Sequence, residues 1–297
     1  MTMQGSDPRE TSHRRIAVLL HESDRHYDTK RYVIGHLARF WREDGHEVVL
    51  LYGTDEYVPA DILVVHVDLS VVPKPYLRFA MRYPRVINGG IADIRKSVIS
   101  RNLLGPEDPW PGPVIVKSNL NCAGVTERKS QAHGLSHRSK LWSKALTRCA
   151  RILGTPPPFR TWKDYRIYDR MVDVPRRHFA DHRVVVERFL PELENGLYRL
   201  RVYQFLGDKH QCTRLAGPDP VLKSYSSVRA EKVEPAPETV NWRRQFNIDY
   251  GHFDYVIHNG EAVLLDVNKT TGASTHLGNE ELEAGRRILA RGIYAFF

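Results

Sequence analysis

The sequence predicts a mixed protein, with a small open parallel α/β unit at the front and antiparallel α+β structure behind it. Three observations point there. The runs Ile16–Leu20, Val48–Tyr52 and Ile62–Val67 are nearly continuous in apolar character, as buried parallel strands are. Residues 29–44, between the first two runs, repeat apolar side chains at helical period. Near the C-terminus two further β-runs flank Asn259-Gly260, the strongest short hairpin dipeptide.

Residues 1–13 are polar and charged and read as a flexible tail. Arg15–Leu20 forms the first strand, and His21–Asp28 a polar loop. The helix over 29–44 sets Tyr32, Val33, Leu37, Phe40 and Trp41 on one face, with Gly45 as its C-cap. Strands at 48–52 and 61–67 complete the α/β unit. No Gly-x-Gly-x-x-Gly follows the first strand, which disfavours a nicotinamide-binding domain. The Pro- and Gly-dense stretch Gly105–Pro113 reads as a boundary, so the front domain covers 14–109.

A second region, 110–190, opens with the β-run Val114-Ile115-Val116-Lys117. It continues through a basic stretch, 128–151, expected to be helical from Leu141, and a stiff break at Pro156-Pro157-Pro158. It closes with the strand Val184–Leu190. The third region, 191–297, holds a strand at 198–206 turning at Gly207-Asp208. An irregular stretch, 218–237, follows, then strands at 253–258 and 262–267 and a final helix over 280–295.

The 297 residues carry 44 Lys+Arg against 35 Asp+Glu, a net charge of +9 that attracts anions of some kind. No apolar run approaches the ~20 residues that span a bilayer, so no membrane partner is expected. Cys122, Cys149 and Cys212 are scattered and form neither a disulfide framework nor a zinc pattern. With a polar N-terminus, they fit a reduced cytoplasm. The basic stretch would suit nucleic acid, but Trp142 is its sole aromatic and no nucleic-acid motif accompanies it, so none is expected.

The chemistry concentrates in His252–Asn268. Asp254 lies on one strand of the hairpin, and Asp266 and Asn268 point to one face of the other. Pairing across the turn brings Asp254 beside them, and three oxygen donors from one rigid hairpin suit a hard cation such as Mg²⁺. The same spacing also fits solvated positions on the outer face of an amphipathic hairpin.

With Asn268 leading into Lys269-Thr270-Thr271-Gly272, the chain here resembles the ATP-grasp superfamily of carboxylate–amine ligases, of glutathione synthetase or ribosomal-protein–glutamate ligase type. The resemblance covers roughly residues 86–275. It implies two α+β lobes clasping a nucleotide behind a small α/β domain, and Asp254, Asp266 and Asn268 as ligands of Mg²⁺, or Mn²⁺ in its place. It implies nucleotide contacts from Lys96, from Lys117 before the loop Ser118–Gly124, from the hinge Val186-Glu187-Arg188-Phe189-Leu190, and from Glu194 at the ribose. Arg201 and Arg214 would contact the transferring phosphoryl group. His21 and Asp24, in the loop after the first strand, are candidate contacts for the acceptor. Three departures from the family pattern stand out: Asp266 replaces the usual Glu, Thr271 replaces the Pro before the last Gly, and Gly124 alone supplies glycine to the phosphate loop.

The implied reaction is ATP-dependent. A carboxylate takes the γ-phosphoryl group to give an acyl phosphate and ADP, and an amine then displaces phosphate. Its partners would be small-molecule or peptide acids and amines, and a homo-oligomer is compatible with it. An accessory protein of the same fold that holds ATP without ligation is the alternative reading.

Overall fold

The computed structural model describes residues 12–133, 159–273 and 279–297. The expectations for residues 1–11, for the basic segment after His133 with its helix and Cys149, and for Pro156–Pro158 lie outside the described residues.

The chain opens with β1 (Arg15–Leu20), α1 (Val33–Glu43), β2 (Glu47–Tyr52), β3 (Ile62–His66), α2 (Lys74–Ala80) and β4 (Val86–Ile87). Next come β5 (Val114–Ser118), α3 (Val125–His133), β6 (Arg166–Tyr168) and β7 (Val184–Arg188). The remainder supplies β8 (Glu192–Glu194), β9 (Leu197–Leu206), β10 (Lys209–Gly217), β11 (Arg229–Lys232), α4 (Glu238–Phe246), β12 (Tyr250–His258), β13 (Glu261–Asn268) and α5 (Asn279–Ala290). Contacts divide the chain into two units. One holds residues up to Asp68, 72–92 and 191–297; the other holds 69–71 and 93–190.

The first unit contains two sheets. Strands β2-β1-β3-β4 lie parallel in that order, and β1 is buried along Ile16–Leu20, which is why its sequence is apolar without alternation. Strands β11-β10-β9-β12-β13 form an antiparallel sheet, with β8 added alongside β9. One core joins the two. Leu37, Trp41 and Val33 of α1 pack with Leu206 and Tyr250 of the second sheet and with Leu289, Ile293 and Tyr294 at the C-terminus. The Trp41 indole N–H donates to the Ala290 carbonyl at 2.8 Å, so the ring's polar atom is satisfied inside that core.

Several elements differ from the sequence reading. Thr29–Arg31 is a 3₁₀ turn, capped by the Asp28 side chain on the Lys30 N–H at 2.9 Å, and α1 starts only at Val33. The last helix ends at Ala290 and tightens into a 3₁₀ turn over Arg291–Phe296. There Gly292 sits so close to the Leu206 carbonyl that a Cβ would lie 1.9 Å from its oxygen. The stretch read as irregular contains β11, a charged four-residue edge strand with no apolar alternation to announce it.

The second unit is built on the antiparallel sheet β6-β5-β7. Val114, Val116 and Val186 make its core with Leu104, Met171 and Val174. The Val71–Asp93 bridge and the Ile94 N–H to Ser70 carbonyl bond (2.8 Å) tie 69–71 into it.

Candidate functional site

The β12–β13 hairpin turns through Asn259 (φ 51°) and Gly260 (φ 85°), the paired positive φ angles of a tight turn whose twist matches its strands. Its register sets Asp254 directly across from Asp266 and His252 across from Asn268, before a bulge at Asp254/Tyr255. Side chains alternate along a strand, so all four residues share one face of the sheet. Gly251 lets the strands approach there: a Cβ on it would lie 2.1 Å from the Asn268 carbonyl oxygen.

On this face the Asp254 side chain is 19% exposed, and Asn268 is buried. The Asp266 carboxylate accepts the Val267 N–H at 3.1 Å. His252, which the sequence reading passed over, has Nδ1 3.1 Å from Thr271 Oγ1 and Nε2 3.7 Å from an Asp254 oxygen. Burial pushes its imidazole pKa down, against the opposing pull of Asp254 and Asp266. Among the described residues no three His, Cys, Asp or Glu side chains gather into a self-sufficient metal cage. Two carboxylates and an amide oxygen instead form a partial set of hard donors, which suits Mg²⁺ because that ion keeps waters and substrate phosphates in its shell.

The arginines expected to join them lie elsewhere. Arg201 pairs with Arg214 across β9–β10 and with Tyr255 on β12, whereas Asp254 pairs with Val202. That single-residue step turns Arg201 and Arg214 to the opposite face of the sheet. There Arg201 pairs with Glu192, whose carboxylate also accepts the Ile257 N–H at 2.7 Å. Arg214 bonds Glu231 at 2.6 Å. Glu194, expected at a ribose, binds Arg199 at 3.0 Å on this same side. Arg201 and Arg214, expected at the transferring phosphoryl group, thus stand in an ion-pair ladder on the face opposite the oxygen donors.

In the second unit, Lys117 on β5 extends toward β7 and pairs with Glu187 at 2.5 Å, both side chains more than nine-tenths buried. Lys96, in a helical turn over Lys96–Ile99, is also buried, and its N–H donates to the Asn119 carbonyl at 2.9 Å. The hinge amides of Arg188 and Phe189 already donate to the carbonyls of Asn102 (2.8 Å) and Pro113 (2.9 Å). Beyond β5, Cys122 (φ 45°), Ala123 (φ 55°) and Gly124 (φ 70°) form three successive left-handed residues, a conformation costly for the first two. Back in the first unit, His21 and Asp24 follow β1 and are buried. His21 Nδ1 lies 2.8 Å from Ser23 Oγ and its ring stacks on Tyr76, while Asp24 pairs with Arg31.

No protein-family model matches the chain, and no curated protein matches it. Among solved structures it is similar to D-alanine–D-alanine ligase from Bacillus anthracis, at 10% identity over 95% of this chain and 99% of that one, with a TM-score of 0.47. The same enzyme complexed with ATP aligns at 12% identity, over 94% and 95% of the two chains, with a TM-score of 0.46. A RimK domain ATP-grasp protein from Sphaerobacter thermophilus aligns at 13% identity, over 95% and 98%, with a TM-score of 0.45.

Proposed function

We propose that this protein is an ATP-dependent ligase that joins a carboxylate to an amine through an acyl phosphate, releasing ADP and phosphate. The observation that carries the reading is the register of the C-terminal hairpin, which aligns Asp254 with Asp266 and sets Asn268 on the same face. In this reading those three oxygen donors hold Mg²⁺, and the bound ion would offset the charge on the nucleotide phosphates. His252 braces that face through Thr271 and Asp254.

The second unit supports the reading independently. Taking a lysine–glutamate pair out of water on a three-stranded sheet carries a desolvation cost that can exceed its attraction, which makes the pair poor evidence of a purely stabilising role. A nucleotide phosphate would give the Lys117 ammonium a second anion, and Lys96 adds a further buried cation in the same unit.

The test is release of ADP and phosphate by the full chain with Mg²⁺·ATP across a panel of carboxylic acids and amines. Turnover that requires one acid and one amine, and that Asp266→Ala and Lys117→Ala each abolish, is the expected result. Tight ATP binding with no turnover across a broad panel would instead favour the accessory protein.

A further inference from the structure

The face of the sheet that carries Asp254 extends past the hairpin. Gln204 on β9 lies directly across from His252, and Val202 across from Asp254. On the next strand Gln211 pairs with Gln204, and Thr213 with Val202. All four share the face of the oxygen donors, one and two strands away at ~4.8 Å per strand. There they line, with Ser224 and with Leu282 of α5, a recess of about 70 Å³. A void of ~10–15 Å³ holds one water, so this one admits a group of a few heavy atoms.

The polar lining is neutral and half-buried. The Gln211 amide N–H donates to the Gln204 amide oxygen at 2.7 Å. That leaves N–H on Gln204 and the C=O of Gln211 without a hydrogen bond to another described residue. Exchanging O and N in both amides leaves the same complement, one donor beside one acceptor. The Thr213 and Ser224 hydroxyls are likewise unbonded among the described residues. The charged groups of the lining are already engaged: Lys232 pairs with Glu281 at 3.1 Å, and Arg286 bonds Glu283 at 2.9 Å. Gly285, inside α5 where glycine is unfavourable, seats the amide, since a Cβ there would lie 2.2 Å from the Gln211 oxygen.

An amide matches this lining, because its C=O accepts from Gln204 while its N–H donates to Gln211. A carboxylate has no proton for Gln211, and an ammonium has no acceptor for Gln204. Either would also shed water in a recess whose charges are already paired. Resting on the ligase function proposed above, we infer that the recess seats an amide of the substrate. The acid or amine that reacts beside Asp254 and Asp266 thus carries a carboxamide or a peptide bond close to its reacting group.

The test is steady-state ADP release by the full chain at saturating Mg²⁺·ATP, with matched compounds offered as acid and as amine. The sets are glutamine against glutamate and methionine, asparagine against aspartate and leucine, and glycylglycine against glycine. The first two read a primary carboxamide and the third a peptide bond. The expected result is a kcat/KM at least about tenfold higher for the amide member of a productive set. Gln204→Leu and Thr213→Val should each cut that preference at least about threefold through KM. Melting temperature and calorimetric affinity for Mg²⁺·ATP should stay unchanged in both. Sets whose members react within twofold of one another or favour a compound without the amide, or a preference that both variants keep, would overturn the assignment of the recess while leaving the proposed function standing. No ADP release with any acid and amine would overturn both.

Discussion

Asp254 and Asp266 face each other across the C-terminal hairpin, while the residue beside Asp254 on the neighbouring strand is Val202 and not Arg201. These pairings separate two chemistries on one sheet. The face of Asp254 gathers oxygen donors and a histidine. The other gathers arginines and glutamates that satisfy one another.

Arg201 is predicted to act on stability. Its side chain and that of Glu192 are 13% and 14% exposed, so removing either partner strands a mostly desolvated charge. Arg201→Met and Glu192→Gln should each cost ~2–4 kcal/mol in urea unfolding, and the double variant should cost less than the sum. Additive losses would show that the two side chains do not interact.

The Lys117–Glu187 pair makes a sharper version of the same prediction. Lys117→Met leaves Glu187 buried without its cation and should destabilise the chain by ~3–5 kcal/mol. Adding Glu187→Gln should recover part of that loss, because it removes the orphaned charge. Urea midpoints of the single and double variants measure it.

His66 predicts an acid-sensitive fold. It is fully buried at the end of β3, neither ring nitrogen has a hydrogen-bond partner among the described residues, and burial pushes its pKa from 6.5 to about 3. Between those values the unfolded chain binds a proton that the folded chain excludes. This contribution is therefore complete above pH 6.5 and declines as pH falls toward 3. From pH 7 to pH 5 it amounts to roughly 2 kcal/mol. His66→Phe should flatten that part of the stability–pH curve measured by urea unfolding; an unchanged slope would assign it to other groups.

Gly251 predicts a link between backbone and site. Its Cβ would collide with the Asn268 carbonyl at 2.1 Å, so Gly251→Ala must spread β12 from β13 where the oxygen donors sit. A loss of ~1–3 kcal/mol is expected, with divalent-cation affinity weakened beyond that of an equally destabilised variant such as Glu192→Gln.

Much of this arrangement was legible in the sequence because it rests on local rules. The apolar run at Ile16–Leu20 marks a strand buried on both faces, and Asn259-Gly260 marks the turn whose register aligns Asp254 with Asp266. What was not legible depends on registers between distant segments. The turn at Gly207-Asp208 pairs Arg201 with Arg214, but their face relative to Asp254 depends on β9 meeting β12, some fifty residues later. Chain order sets both arginines near the site, and a one-residue step in that pairing decides the face on which they stand. His252 was in plain view two residues before Asp254, where alternation alone puts it on the same face.

The central claim is that Asp254, Asp266 and Asn268 hold a divalent cation together with ATP. Enhancement of water-proton relaxation by Mn²⁺ tests it most directly, on the full chain, with and without ATP. Mn²⁺ binding that strengthens when ATP is added, and that Asp254→Asn and Asp266→Asn each weaken at least tenfold without unfolding the protein, is the predicted result. Mn²⁺ binding indifferent to ATP, or unaffected by both substitutions, would contradict it.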